Sequence, residues 1–290
     1  MQIGVDPTVD YAFKRVFGRT ENGLILCSLL NAILQPPPDR SVVSVEVLNP
    51  FLPQDIEDDK LAVLDIRARD PLGRQYNIEM QIRSHHALRE RILYYWAKLY
   101  VQQLAEGDSY ELLRPTISVL VLDDVLLPAL SGAHHRFRLG DDEQTAIFTD
   151  HLEIHLLELP KFQKSLGELV TDLERWLYFL RHAATLELES WPFELSQPAF
   201  HRAAEELHML TQSDLERERY EARLKGQRDY RTDMKFERLE GRLEGQIRLL
   251  QNLLGQPSAE NDDLQSLDLQ QLEALLVKLL EEARQAGFSV

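Results

Sequence analysis

Two residues on either side of a short turn, Asp65 and Glu79, have the carboxylates to hold a divalent cation, and Gln81 shares the face of Glu79 two residues on. Asp65 lies in one predicted strand, 61–69, and Glu79-Met80-Gln81 in the next, 74–82. A turn at Asp70-Pro71-Leu72-Gly73 joins them, since Pro presets φ and Gly tolerates a left-handed backbone. Adjacent antiparallel strands bring such carboxylates together on one face. Two converging carboxylates repel, and a fold keeps them when a cation or a proton sits between them. Mg²⁺ suits such a pair, because it takes one or two carboxylates and fills its remaining positions with water and phosphate oxygen. The alternative is a solvated face of a half-buried sheet, with Glu79 simply exposed. Spacing alone leaves both open.

The elements that must position these residues follow from periodicity. Val9, Phe13, Val16 and Phe17 recur at helical spacing, so 9–17 is expected to be a helix ended by Gly18. A more apolar helix is expected over 22–34, stopped by Pro36-Pro37-Pro38. The β-branched run 42–47 is expected to be a strand, and 53–60 a polar loop. In 74–82, Tyr76, Ile78, Met80 and Ile82 share one face, and Asn77, Glu79 and Gln81 the other. A helix over 86–105 follows. The unbroken apolar run 115–122 predicts a strand buried on both faces. Further strands are expected at 134–139 and 145–157, and helices at 164–184 and 196–250. The order predicts a mixed α/β core with a helical C-terminal extension.

Charge limits the partners. The chain has 290 residues and a formal net charge of −16. Residues 106–210 hold 19 acidic and 8 basic side chains, whereas 1–105 hold 13 and 12. Phosphate contacts need clustered Lys and Arg, so the first third is the globular part open to a DNA backbone. The single cysteine, Cys27, excludes an internal disulfide framework and a Cys-rich zinc site. No apolar run has the length of a membrane span, and the N-terminus lacks the pattern of a secretory leader. The expectation is a cytoplasmic protein without membrane contact. Phosphate-loop, dinucleotide and nucleophile-elbow motifs are absent, so no nucleotide cofactor is expected.

Other pairs read more plainly. His85-His86 and His134-His135 are neighbours in sequence, so their side chains point apart and do not chelate one ion. Tyr94-Tyr95-Trp96 is expected to be core and helix rim. Residues 211–249 carry 19 charged side chains and predict an exposed or self-associating helix. Leucines at 264, 267, 269, 272, 275, 276, 279 and 280 give the end of the chain one apolar helical face. The expected organisation is a core domain over 1–195, a charged helical linker over 196–250 and a small helical module over 251–290, through which copies could associate.

The series from Asp6-Pro7-Thr8-Val9-Asp10-Tyr11-Ala12-Phe13-Lys14-Arg15-Val16-Phe17-Gly18 onward is specific. It continues with Leu64-Asp65-Ile66-Arg67-Ala68, Tyr76-Asn77-Ile78-Glu79-Met80-Gln81, Arg91 with Tyr94-Tyr95, and Gly107-Asp108-Ser109-Tyr110 before Leu113-Arg114-Pro115. This resembles the PD-(D/E)xK nuclease superfamily, and within it the recombination-promoting nuclease and transposase (Rpn-like) family, over about residues 4–185. The resemblance implies a restriction-endonuclease-like mixed sheet core flanked by helices. It implies a Mg²⁺- or Mn²⁺-dependent endonuclease acting on double-stranded DNA, linked to recombination or mobile DNA. Asp65, Glu79 and the Met80 carbonyl are then metal ligands. Gln81 stands where the superfamily has a lysine, and it brings hydrogen bonds without charge. Asp10 becomes an accessory ligand or, equally, an acid favourable to a helix N-terminus. Lys14, Arg15, Arg83, Arg89 and Arg91 become phosphate contacts or ordinary solvated side chains. The competing expectation is a weak or inactive DNA-binding or assembly protein on the same fold. The net charge and Gln81 favour it, while Asp65 and Glu79 favour the enzyme.

Overall fold

The computed structural model describes residues 1–49, 64–81, 87–143, 145–256, 264 and 266–288. The loop expected at 53–60, the His85-His86 pair and Arg83 lie outside the described residues. The chain divides into two compact units, Met1–Leu224 and Lys225–Val290.

The first unit is built on a six-stranded sheet. Its elements are α1 (Asp10–Phe17), α2 (Gly23–Leu34), β1 (Glu46–Leu48), β2 (Ile66–Arg69), β3 (Gln75–Gln81), α3 (Leu88–Val101), β4 (Thr116–Leu122), β5 (His134–Gly140), β6 (Ile147–Glu158), α4 (Asp172–His182) and α5 (Pro198–Gln212). The strand order is β1-β2-β3-β4-β6-β5. The β1/β2, β2/β3 and β5/β6 pairs are antiparallel, whereas β3/β4 and β4/β6 are parallel. A mixed sheet flanked by helices is the architecture that the element order predicted.

The β2–β3 hairpin turns where expected, and its chemistry is local. Gly73 sits at φ +81°, a conformation that a Cβ disfavours. The Asp70 carboxylate accepts from the Arg74 backbone N–H at 2.9 Å and from the Tyr76 hydroxyl at 2.9 Å. Register across the hairpin is therefore pinned, with Ile66 opposite Ile78 and Arg69 opposite Gln75.

One side of the sheet carries the main core. Tyr76, Ile78 and Met80 join Ile117, Val119 and Val121 under the apolar faces of α1, α2, α4 and α5. The other side is covered by α3, whose Leu88 and Ile92 pack on Leu120, Leu122 and Leu156. β4 is buried along its whole length, as its unbroken apolar run predicts.

Three helical expectations change. The helix expected from 164 starts at Asp172. Thr171 and Glu174 form a capping box, each accepting from the other's backbone N–H, and this sets the first turn. The single helix expected over 196–250 is two helices, because Ser213 is extended at φ −108° and ψ 124°. α6 runs from Asp214 to Leu253. The expected boundary at 195 also falls before α5, yet α5 buries Ala203, Ala204, Leu207 and Leu210 in the main core. Small residues let this helix approach closely, so it closes the core and does not act as a spacer.

In the second unit, Leu243, Ile247 and Leu250 of α6 meet Leu264, Leu272, Leu279 and Ala283. The last three belong to α7 (Leu269–Gln285), which starts with a capping box between Asp268 and Gln271. The leucine spacing of the closing segment thus forms a small core of its own.

Candidate active site

The site is built where β2 enters the sheet beside the end of β3. Continuing the β2/β3 register by one residue places Asp65 opposite Glu79. Asp65 Oδ2 accepts from the Met80 backbone N–H at 3.0 Å. Within a strand a residue's N–H and C=O face the same neighbour. The Met80 carbonyl therefore faces the Asp65 edge, while the Gln81 carbonyl faces the other way and accepts from Asp123 N–H at 2.9 Å.

Glu79 is not a solvated strand residue. It is 4% exposed and Asn77 is 2% exposed, because α3 lies over this face of the sheet. Asn77 Nδ2 donates to Glu79 Oε1 at 2.9 Å. Arg91 NH2 lies 3.8 Å from Glu79 Oε2, beyond hydrogen-bond range. Alternation along β3 separates its two faces but does not say what covers the polar one. Burial of the Asn77–Glu79 pair thus came only with the helix.

Both carboxyls titrate above the usual carboxylate range. Burial is the main cause for Asp65, with Lys14 pulling the other way. Burial is also the main cause for Glu79; the Asn77 amide opposes it and the charge of Asp65 adds to it. The ionised pair is then a cost in the metal-free fold. The folded state binds more protons than the unfolded chain between the ordinary carboxylate value and the raised one. Stability therefore falls as pH rises through that window. Glu79→Gln is expected to raise the melting temperature of metal-free protein by a few degrees at about pH 8, and by less at about pH 4. An equal shift at both pH values would contradict the raised carboxyl.

The remaining candidates separate. Lys14 Nζ sits 2.7 Å from Asp10 Oδ1 and 3.0 Å from Asp65 Oδ1. Asp10 reaches the carboxylate pair through this ammonium. Arg15 departs from the expected phosphate role. It lies about 100° round the helix from Lys14 and points at α5 and α6, with Nε 3.4 Å from Glu206 and NH1 3.9 Å from Glu216. Arg89 is exposed and Arg91 is half-buried on α3. Gln81 is half-buried on the Glu79 face. Tyr94 and Tyr95 pack beside Leu64 and Leu99, and Trp96 Nε1 donates to the Thr116 carbonyl at 2.9 Å, so this trio is core and rim as expected. His134 and His135 do point apart. One ring meets His155 at 2.8 Å and the other lies 3.4 Å from Glu158.

A family model described as PD-(D/E)XK nuclease family transposase matches residues 7–237. The chain belongs to this family. No curated protein and no solved structure matches it. Membership of the PD-(D/E)XK transposase family supports a nuclease-type function, with DNA as the substrate that the family suggests. Nucleases of this kind generally use divalent metal ions. The donor set here fits such an ion: two carboxylates and one backbone carbonyl, all hard oxygen ligands. Among the described residues no cluster of three or more His, Cys, Asp or Glu side chains gathers as a metal centre. Among the described residues, no helix is long and apolar enough to cross a membrane.

Proposed function

We propose that this PD-(D/E)XK transposase-family protein is a Mg²⁺- or Mn²⁺-dependent endonuclease of double-stranded DNA, acting in recombination or on mobile DNA. The observation that carries this reading is the buried Glu79 carboxylate with Asp65 beside it, the Asp65 carboxylate accepting from the N–H of Met80, the residue after Glu79. Burial raises both carboxyls even though Lys14 and the Asn77 amide favour their charged forms, so the ionised pair is left short of positive charge and the arrangement suits a cation site.

Asp65, Glu79 and the Met80 carbonyl would hold the ion, which supplies Lewis acidity to the scissile phosphate. The chain's own residues do the rest. Met80 N–H fixes one Asp65 oxygen, and the Lys14 ammonium meets the other. The Asn77 amide fixes one Glu79 oxygen in the same way. Gln81 lies two residues along the same face as Glu79, where its amide can orient the attacking water or a phosphate oxygen. Arg89 and Arg91 on α3 are the cations we assign to the phosphate backbone.

Supercoiled plasmid incubated with the full chain is expected to give nicked and linear product with Mg²⁺ or Mn²⁺, and none with a chelator. Plasmid left intact with either metal would overturn the enzyme. Retained binding to the same plasmid would then favour the assembly-protein reading.

A further inference from the structure

We propose that Lys14 is a catalytic residue of the hydrolysis proposed above, its ammonium meeting the charge that develops on the phosphate. This assignment rests on the nuclease reading.

Asp10 and Lys14 are one helical turn apart on α1, which puts both side chains on one face. An ordinary surface pair would end there, and such pairs contribute little. Here the ammonium also reaches Asp65 on the sheet, 3.0 Å from an oxygen of the proposed metal ligand. An ammonium has three donors. Asp10 and Asp65 account for two of them, and the Lys14 side chain is 41% exposed, so it remains open to a ligand arriving at Asp65.

Three other arginines are placed differently. Arg91 NH2 stops 3.8 Å from Glu79, Arg89 is exposed on α3, and Arg15 is turned to Glu206. Gln81 carries no charge.

The transition state adds negative charge on the phosphate oxygens, and a preorganised cation beside them stabilises that state most. In the reaction a water oxygen bonds to phosphorus and the bond from phosphorus to the leaving oxygen breaks. One water proton goes to solvent, and the leaving oxygen takes one back. Lys14 keeps its own protons and hydrogen-bonds a non-bridging oxygen.

The test compares plasmid cleavage by wild type, Lys14→Met, Lys14→Arg and the double variant Lys14→Met/Gln81→Lys, with Mn²⁺ affinity measured calorimetrically for each. Lys14→Met is expected to lose about 100-fold or more in cleavage rate. Lys14→Arg should retain most of the rate. The double variant should regain about tenfold, because it returns an ammonium to the same carboxylates from β3. Mn²⁺ should bind Lys14→Met at least as tightly as wild type, since a competing cation has left Asp65. Cleavage by Lys14→Met at the wild-type rate overturns the role of Lys14 alone. Loss of Mn²⁺ binding in parallel with the rate also overturns it, by making Lys14 a prop for the ligand. A wild type that never cleaves overturns the nuclease reading and this role together.

Discussion

Asp65→Asn is expected to lower metal-dependent cleavage by about 10³-fold or more and to leave the fold intact. The rate effect is large because Asp65 is one of two carboxylates in the proposed site, and residues acting as a unit fail together when one is removed. The fold should survive because the variant keeps the shape of the side chain and its Oδ1. That oxygen can still accept from Met80 N–H, which the Asp65 carboxylate meets at 3.0 Å. Lys14 keeps Asp10 as its ion-pair partner at 2.7 Å. Burial already disfavours the charged form of Asp65, so neutralising it removes a cost. Cleavage rates and circular-dichroism melts of the same preparation check both halves. Undiminished plasmid nicking by pure, folded Asp65→Asn would sink the ligand assignment.

Trp176→Ala is expected to destabilise the first unit by about 3–5 kcal/mol, the usual cost of emptying a large aromatic site in a close-packed core. Trp176 of α4 has no exposed surface. Its ring lies 5.7 Å from Phe17 of α1, 5.6 Å from Phe179 of its own helix and 4.4 Å from Phe200 of α5. Its Nε1 donates to Ser28 Oγ of α2 at 3.2 Å. One side chain therefore ties together the four helices that cover the core side of the sheet. α1 among them carries Asp10 and Lys14, so the loss reaches the site as well as the stability. The midpoint of urea unfolding, followed by far-ultraviolet dichroism, should fall accordingly. A loss below about 1 kcal/mol would mean that the neighbouring rings refill the space.

Much of this was legible in the residues before any fold was known. The period-two alternation from Tyr76 to Gln81 sufficed for β3, and it put Asn77, Glu79 and Gln81 on one face. Pro71 and Gly73 sufficed for the hairpin, hence for bringing Asp65 near Glu79. These are local properties, decided by backbone dihedrals and by side-chain alternation within about ten residues.

The tertiary structure decided what local rules do not reach. Whether the Glu79 face was wet or dry depended on α3 folding back over it with Leu88 and Ile92. Lys14 and Arg15 are neighbours of like charge, and nothing in their composition separates them. The helical turn points one at Asp65 and the other at Glu206. Assigning α5 to the core, though its residues read as part of a charged linker, likewise required the partner surfaces of α1 and α2. A sequence determines which face of each element is polar. Which polar face is then buried, and beside which charge, is a matter of long-range packing, because burial is a property of two surfaces and a single stretch of chain supplies only one.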